Sequence, residues 1–369
     1  MNHTRTPDFD APLDAYHEEA AGLLEAFRSG DPDAGQRFKW EHPRFFGRPL
    51  SEVHGADLDL DDARLAVAHG HGFDGWADLE AFTEALGEDG AVRRFERAVE
   101  AVVAGDLGTL RSLLEAEPDL ARARSTRRHH ATLLHYVAAN GVEGARQRTP
   151  ANAVAVARLL IEAGAEADAL ADMYGERCST MSMLVSSTPP AEAGLQAALA
   201  EVLLDHGAAL VGPGSKWQSP LMTALAFGFP DTAEALARRG APLEGLPAAA
   251  GLGRVADVER LLPGADGPAR HASLALAAQL GRVEVVRLLL DAGEDPDRYN
   301  PDGYHAHATP LHQAVASDHL DVVKLLVERG ARLDLRDTIY EGTPLDWAAY
   351  LGRDGIAEYL RSAAGGQGT

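Results

Sequence analysis

Apolar residues recur at helical spacing in four short stretches of the first 90 positions, over 13–27, 38–40, 60–68 and 76–86. Gly30-Asp31-Pro32, Pro43 and the glycine-rich run 70–75 break the pattern between them. Asp61 or Asp62 is placed to cap the third helix and Asp74 the fourth, since an aspartate just ahead of an apolar run satisfies free N–H groups of the first turn. This segment reads as a small helical domain.

From Val92 onward the pattern becomes periodic: a short apolar helix, a Gly-Asp or Gly-Arg turn, a second helix rich in Leu and Val, then Gly-Ala. The turn and second helix are seen at Gly105-Asp106 before 110–114, at Gly281-Arg282 before 285–290 and at Asp318-His319 before 322–327. A glycine closes the second helix at Gly164, Gly207, Gly240, Gly293 and Gly330, where a left-handed residue ends a helix without a Cβ clash. Two further marks fix the period. Thr309-Pro310-Leu311-His312 and Thr343-Pro344-Leu345-Asp346 stand 34 residues apart, and Gly207 and Gly240 are 33 apart.

The stretch from Ala308 to Arg329 followed by Gly330-Ala331, with its Thr-Pro-Leu-His start and its Asp321-Val322-Val323-Lys324-Leu325-Leu326 second helix, resembles a complete ankyrin repeat. The resemblance implies that Thr caps the first helix, Pro occupies its first turn, Leu packs into the neighbouring repeat and His bonds within its own turn. Thr132-Leu133-Leu134-His135 and Ser219-Pro220-Leu221-Met222 are weaker copies, and the likeness extends over roughly residues 92–363, about seven or eight repeats. The expected fold is all-α: an ankyrin-repeat solenoid over 91–363, a helical cap over 1–90 and a tail over 364–369. Through Phe73-Asp74-Gly75-Trp76-Ala77-Asp78-Leu79 the start resembles the helical leader of some bacterial ankyrin proteins, which implies a bacterial, cytoplasmic chain and no particular reaction.

Composition agrees with closely packed small helices, because 46% of the 369 residues are apolar while only 6% are aromatic. The net charge of −22 opposes attraction to nucleic acid or to an anionic membrane and favours a partner with a basic surface. A single cysteine, Cys178, excludes an intrachain disulfide and suits a cytoplasmic setting. No long uncharged apolar run suggests secretion or membrane insertion.

Function is sought where the repeats depart from the pattern. Several turns ahead of the first helix of a repeat are enlarged into fingers: 124–131 with Arg127, His129 and His130; 172–179 with Tyr174, Arg177 and Cys178; 212–218 with Trp217; 298–308 with Tyr304, His305 and His307; and 336–342 with Tyr340 and Glu341. These are the residue types that concentrate energy in binding surfaces, combining contact area with directed hydrogen bonds. They are the candidate binding residues. Residues 242–280 have no room for a finger, so two finger banks flanking a bare repeat would leave a notch.

The reading is a scaffold whose fingers bind a protein. The alternative is a small-molecule binder or enzyme of unknown reaction, with His305 and His307 at the polar centre of the notch. Two imidazoles do not complete a metal site, so no metal or cofactor is assigned. His135 and His312 are read as structural, and the aspartates at 57, 59, 61 and 62 as helix caps.

Overall fold

The computed structural model describes residues 9–87, 90–212, 219–243 and 245–366. Its contacts divide the chain into two compact units, Met1–Gln218 and Ser219–Thr369.

The first unit begins with α1 (Leu13–Arg28), α2 (Pro32–Glu41), α3 (Leu50–His54), α4 (Leu60–Gly70) and α5 (Trp76–Gly87). They enclose a core that includes Tyr16, Leu23, Phe38, Val53, Ala66 and Leu79. The cap of α4 is Asp59, two residues ahead of the expected pair. Asp59 accepts from the backbone N–H groups of Asp61 and Asp62 at 2.9 and 3.1 Å, and the Asp62 carboxylate accepts from Asp59 N–H at 3.0 Å. This reciprocal box requires a carboxylate three positions into the helix, which only a cap at Asp59 provides. The short α3, with Val53 as its buried residue, has no periodicity to announce it.

Three helix pairs follow: α6 (Ala91–Ala104) with α7 (Leu107–Ala116), α8 (Leu133–Val137) with α9 (Ala153–Glu162), and α10 (Thr180–Leu184) with α12 (Gln196–Asp205), the last interrupted by α11 (Thr188–Glu192). In the second and third pairs the first helix is cut to five residues, and the connection to its partner expands to residues 138–152 and 185–195. A two-stranded antiparallel hairpin, β1 (Leu170–Met173) and β2 (Glu176–Ser179), forms the finger ahead of α10. Its turn residues, Tyr174 and Gly175, have φ of 54° and 78°, the left-handed pair that matches the twist of a two-residue hairpin.

The second unit is regular. It holds five pairs: α13 (Pro220–Ala226) with α14 (Pro230–Arg238), α15 (Gly245–Leu252) with α16 (Val255–Leu261), α17 (Gly267–Gln279) with α18 (Val283–Asp291), α19 (Pro310–Ala316) with α20 (Leu320–Glu328), and α21 (Pro344–Tyr350) with α22 (Asp354–Gly366). Each pair is joined by two or three residues. Their apolar faces merge into one core that runs from Leu246 through Leu274, Val286, Leu311 and Leu326 to Leu360. Between α16 and α17 only a 3₁₀ turn, Leu262–Gly264, and two further residues intervene, so this junction has no finger.

Candidate functional site

In the second unit the fingers are built outward from the helix starts. Thr309 caps α19, and His312 closes the box by accepting from Thr309 N–H at its Nδ1. With Nδ1 so used, the ring's Nε2–H donates to the carbonyl of Gly342 in the next finger at 3.1 Å. The histidine therefore ties successive repeats together as well as its own turn. Asp337 organises that next finger: its carboxylate accepts from the backbone N–H groups of Ile339, Tyr340 and Gly342 at 2.9, 2.6 and 2.8 Å, and from the indole of Trp347 at 2.9 Å. Burial favours the neutral acid, but these donors outweigh it and hold the carboxyl below its usual value.

Fixing the Trp347 indole fixes an aromatic cluster. The His307 ring lies 5.9 Å from Trp347 and 6.1 Å from Tyr340, and His312 meets Trp347 at 5.2 Å. Tyr340 is 57% exposed, and Tyr350, three residues beyond Trp347 on α21, is 90% exposed. His305 has a different anchor. Its Nε2–H donates to the carbonyl of Ala226 at 3.1 Å, beside the Gln279 amide that donates to the same oxygen at 3.0 Å. The two histidines stand edge to face, 6.1 Å apart, each committed to separate neighbours and not converging on one point. Burial lowers both imidazole pKa values, so the rings are neutral near pH 7. The result is a half-exposed strip of aromatic faces and neutral imidazoles, suited to stacking and hydrogen bonding.

Other candidates in this unit occupy the same two fingers. Tyr304 is half-buried, and its backbone N–H bonds to Pro301 O. Glu341 is exposed at φ 58°, with its carbonyl accepting from Arg336 at 2.5 Å. Trp217 lies outside the described residues.

The first unit corrects two candidates. Arg127, expected to face a partner, is 2% exposed. Its guanidinium pairs with Glu143, lies 3.2 Å from Glu96, donates to the carbonyl of His71 at 2.5 Å and stacks on Phe73 and Phe82. Arg146 completes the cluster, 2.6 Å from Glu96 and 2.9 Å from Glu100. Burial disfavours the charge on Glu143, yet Arg127, His129 and Arg146 overcome it and keep the carboxylate ionised. His129 is buried as well, 3.7 Å from Glu143 and 6.0 Å from the Tyr136 ring. Both side chains turn inward because the finger is held against the turn after α4, where Arg128 N–H donates to Gly72 O at 2.9 Å. Sequence spacing carried no signal of this, since Glu96 and Glu143 are far from Arg127 along the chain.

His130 and Arg177 remain at the surface, the first paired with Asp172 at 3.0 Å. The exposed Tyr174 is tethered through its hydroxyl to Asn140 Oδ1 at 2.6 Å. Cys178 is buried, its thiol 3.6 Å from the carbonyl of Met173, so the arginine beside it in sequence does not make it an exposed nucleophile. Among the described residues, no three His, Cys, Asp or Glu side chains converge in the manner of a metal site, and no helix is long and apolar enough to cross a membrane.

The family model described as "Ankyrin repeats (3 copies)" matches residues 246–337 and 274–367. Residues 246–367 are ankyrin repeats. They include the 298–308 and 336–342 fingers and the whole of the strip. A human protein, cyclin-dependent kinase inhibitor 2A, is 46% identical over 57 residues, which are 15% of this chain and 36% of that protein. Ankyrin repeats generally serve as protein-interaction scaffolds, and the all-α solenoid follows from these repeats together with the helix pairs described above.

Proposed function

We propose that the chain is a scaffold that binds a protein segment along the strip formed by His305, His307, Tyr340, Trp347 and Tyr350. One observation carries the reading: Asp337 spends its carboxylate on three backbone N–H groups and the Trp347 indole, so the aromatic surface is rigid before a partner arrives. A pre-ordered surface avoids the entropy cost of arranging side chains on binding. Similarity to a protein named as a kinase inhibitor supports binding to protein, and it carries no kinase to this chain. The net charge of −22 favours a partner with a basic surface, whose affinity then falls as salt rises. We also place the protein in the cytoplasm, with residues 1–90 as a cap of bacterial type and repeats from 91 to 363.

The test is affinity capture with the wild type and with a His307→Ala/Tyr340→Ala/Tyr350→Ala variant, which leaves Asp337 and the core intact. A protein held by the wild type and reduced at least tenfold on the variant supports the strip. Equal retention on both overturns it.

A further inference from the structure

The end of α2 and the loop after it present an exposed aromatic pair. Trp40, 46% exposed, and Phe46, 65% exposed, meet edge to face with ring centres 5.9 Å apart. Two buried neighbours hold the loop in place. Phe45 sits in the helical core, and His42, 3.3 Å from Asp62, packs on its ring at 5.3 Å. Hydrogen bonds from Phe45 N–H to His42 O and from Arg48 N–H to Phe45 O fold the chain back, so Phe46 is pinned outward by its neighbours. The display is a rigid one.

The charge around this pair is opposite to that of the chain. Residues 36–50 hold Arg37, Lys39, Arg44 and Arg48 against one acid, Glu41, within a chain of 56 acidic and 34 basic residues. Arg37 is consumed by Glu19 and Glu41, and Lys39 is buried. Arg44 and Arg48 remain at the surface, and neither meets a carboxylate among the described residues. Some exposed arginines elsewhere find acids, as in Arg329–Asp291 and Arg332–Asp334. Two unneutralised guanidinium groups beside two exposed rings, flanked by Pro43 and Pro49, form an acceptor for carboxylates attached to an apolar side chain.

We propose that the Trp40–Phe46 patch is a second docking site, which takes an acidic protein segment carrying a large apolar residue. The apolar residue packs on the ring pair, and the flanking carboxylates pair with Arg44 and Arg48. A peptide is favoured over an anionic membrane by the geometry of charge. Two arginines add only a weak attraction to an anionic surface, while a flat membrane also confronts the remaining acidity of the chain. A narrow segment touches the basic island alone, and at physiological salt charges more than about 8 Å away are largely screened.

The test is selection of a displayed random-peptide library on the full chain, with an Arg44→Glu/Arg48→Glu variant and a Phe46→Ala variant in parallel. The expected result is enrichment of acidic sequences with an aromatic or leucine residue. Binding falls at least tenfold on each variant and weakens as salt rises, and far-UV circular dichroism stays unchanged because the altered residues are exposed. Three outcomes overturn the proposal: no enrichment, enrichment of neutral or basic peptides, or equal retention on the variants. Phosphatidylserine vesicles retained by the wild type and released by the charge-reversal variant reassign the patch to a membrane, which also overturns it. The strip variant of the second unit leaves this binding intact, so the two sites are tested independently.

Discussion

The two units use helix pairs to opposite ends. In residues 219–366 the pairs are joined by two or three residues, one apolar core runs through them, and the buried polar side chains, such as His271, Ser273, Gln279 and His312, are neutral apart from Asp337 in a finger. In residues 91–212 two of the pairs carry expanded connections, 138–152 and 185–195, and a charged cluster is taken inside. Arg127 and Arg146 face Glu96 and Glu143 there, all four nearly inaccessible to water. The difference shows what a longer connection can bring to a helix pair. The 138–152 connection contributes Glu143 and Arg146 to the buried cluster. The family match follows the same division, since it falls on 246–367 and thus within the second unit.

The comparison is broken most severely by Arg127→Met. Removal of one member of a buried ion cluster leaves Glu96 and Glu143 desolvated with Arg146 to answer both, with an expected loss of about 3–5 kcal/mol. Hydrogen exchange followed by mass spectrometry should lose protection across 91–212 and keep it across 245–366. The matched control is Arg332→Ala in the second unit. Its pair with Asp334 is exposed and screened by solvent, so little stability should be lost. Similar losses from the two substitutions would show that the buried cluster is no more important than a surface pair.

Next in size is Asp337→Ala, which tests the organisation of the regular unit. Three backbone N–H groups and an indole lose an ionised acceptor, and the expected cost is about 3 kcal/mol, confined to the finger and α21. The Trp347 ring should lose its fixed contact with His307, readable as exchange broadening of the ring resonances. Retention of sharp, unshifted Trp347 signals would refute the role given to Asp337. Because the strip depends on this carboxylate, partner capture should fall with it.

The legibility of the sequence divides along the same line. Where the period is kept, local residues decide local structure: Thr309, Pro310 and His312 read as a helix start, and the structure adds only that His312 reaches the next finger. Helices α1, α4 and α5 were likewise legible from spacing, whereas α3, with a single buried apolar residue, was not. The fingers themselves were visible as departures from the repeat. What could not be read was the direction of their side chains. Arg127 and Tyr340 look alike as finger residues, yet one is drawn inward by Glu96 and Glu143 and the other stands in solvent. That outcome depends on carboxylates delivered by other elements, which no local pattern encodes. Trp40 and Phe46 gave a helical signal only through Trp40, and their exposure follows from the burial of Phe45 between them.

The smallest of these effects compares the two capping histidines by acid. His135 occupies in the first unit the place of His312 in the second, with Nδ1 at Thr132 and Nε2 at the carbonyl of Cys178. Burial drives the His135 pKa down to about 4, opposed weakly by that carbonyl, and burial lowers His312 as well. A folded-state pKa below that of the unfolded chain means the unfolded state takes the proton first. The stability from a neutral His135 is therefore complete above the unfolded value near 6.5 and lost as pH falls toward about 4. Between pH 7 and pH 5 this amounts to about 2 kcal/mol. Urea denaturation of the wild type should show that decline. His135→Asn, which retains a polar side chain but cannot take the proton, should be less stable at pH 7 and lose less on acidification. An equal decline in the variant would assign the acid sensitivity to other groups and remove His135 from the account.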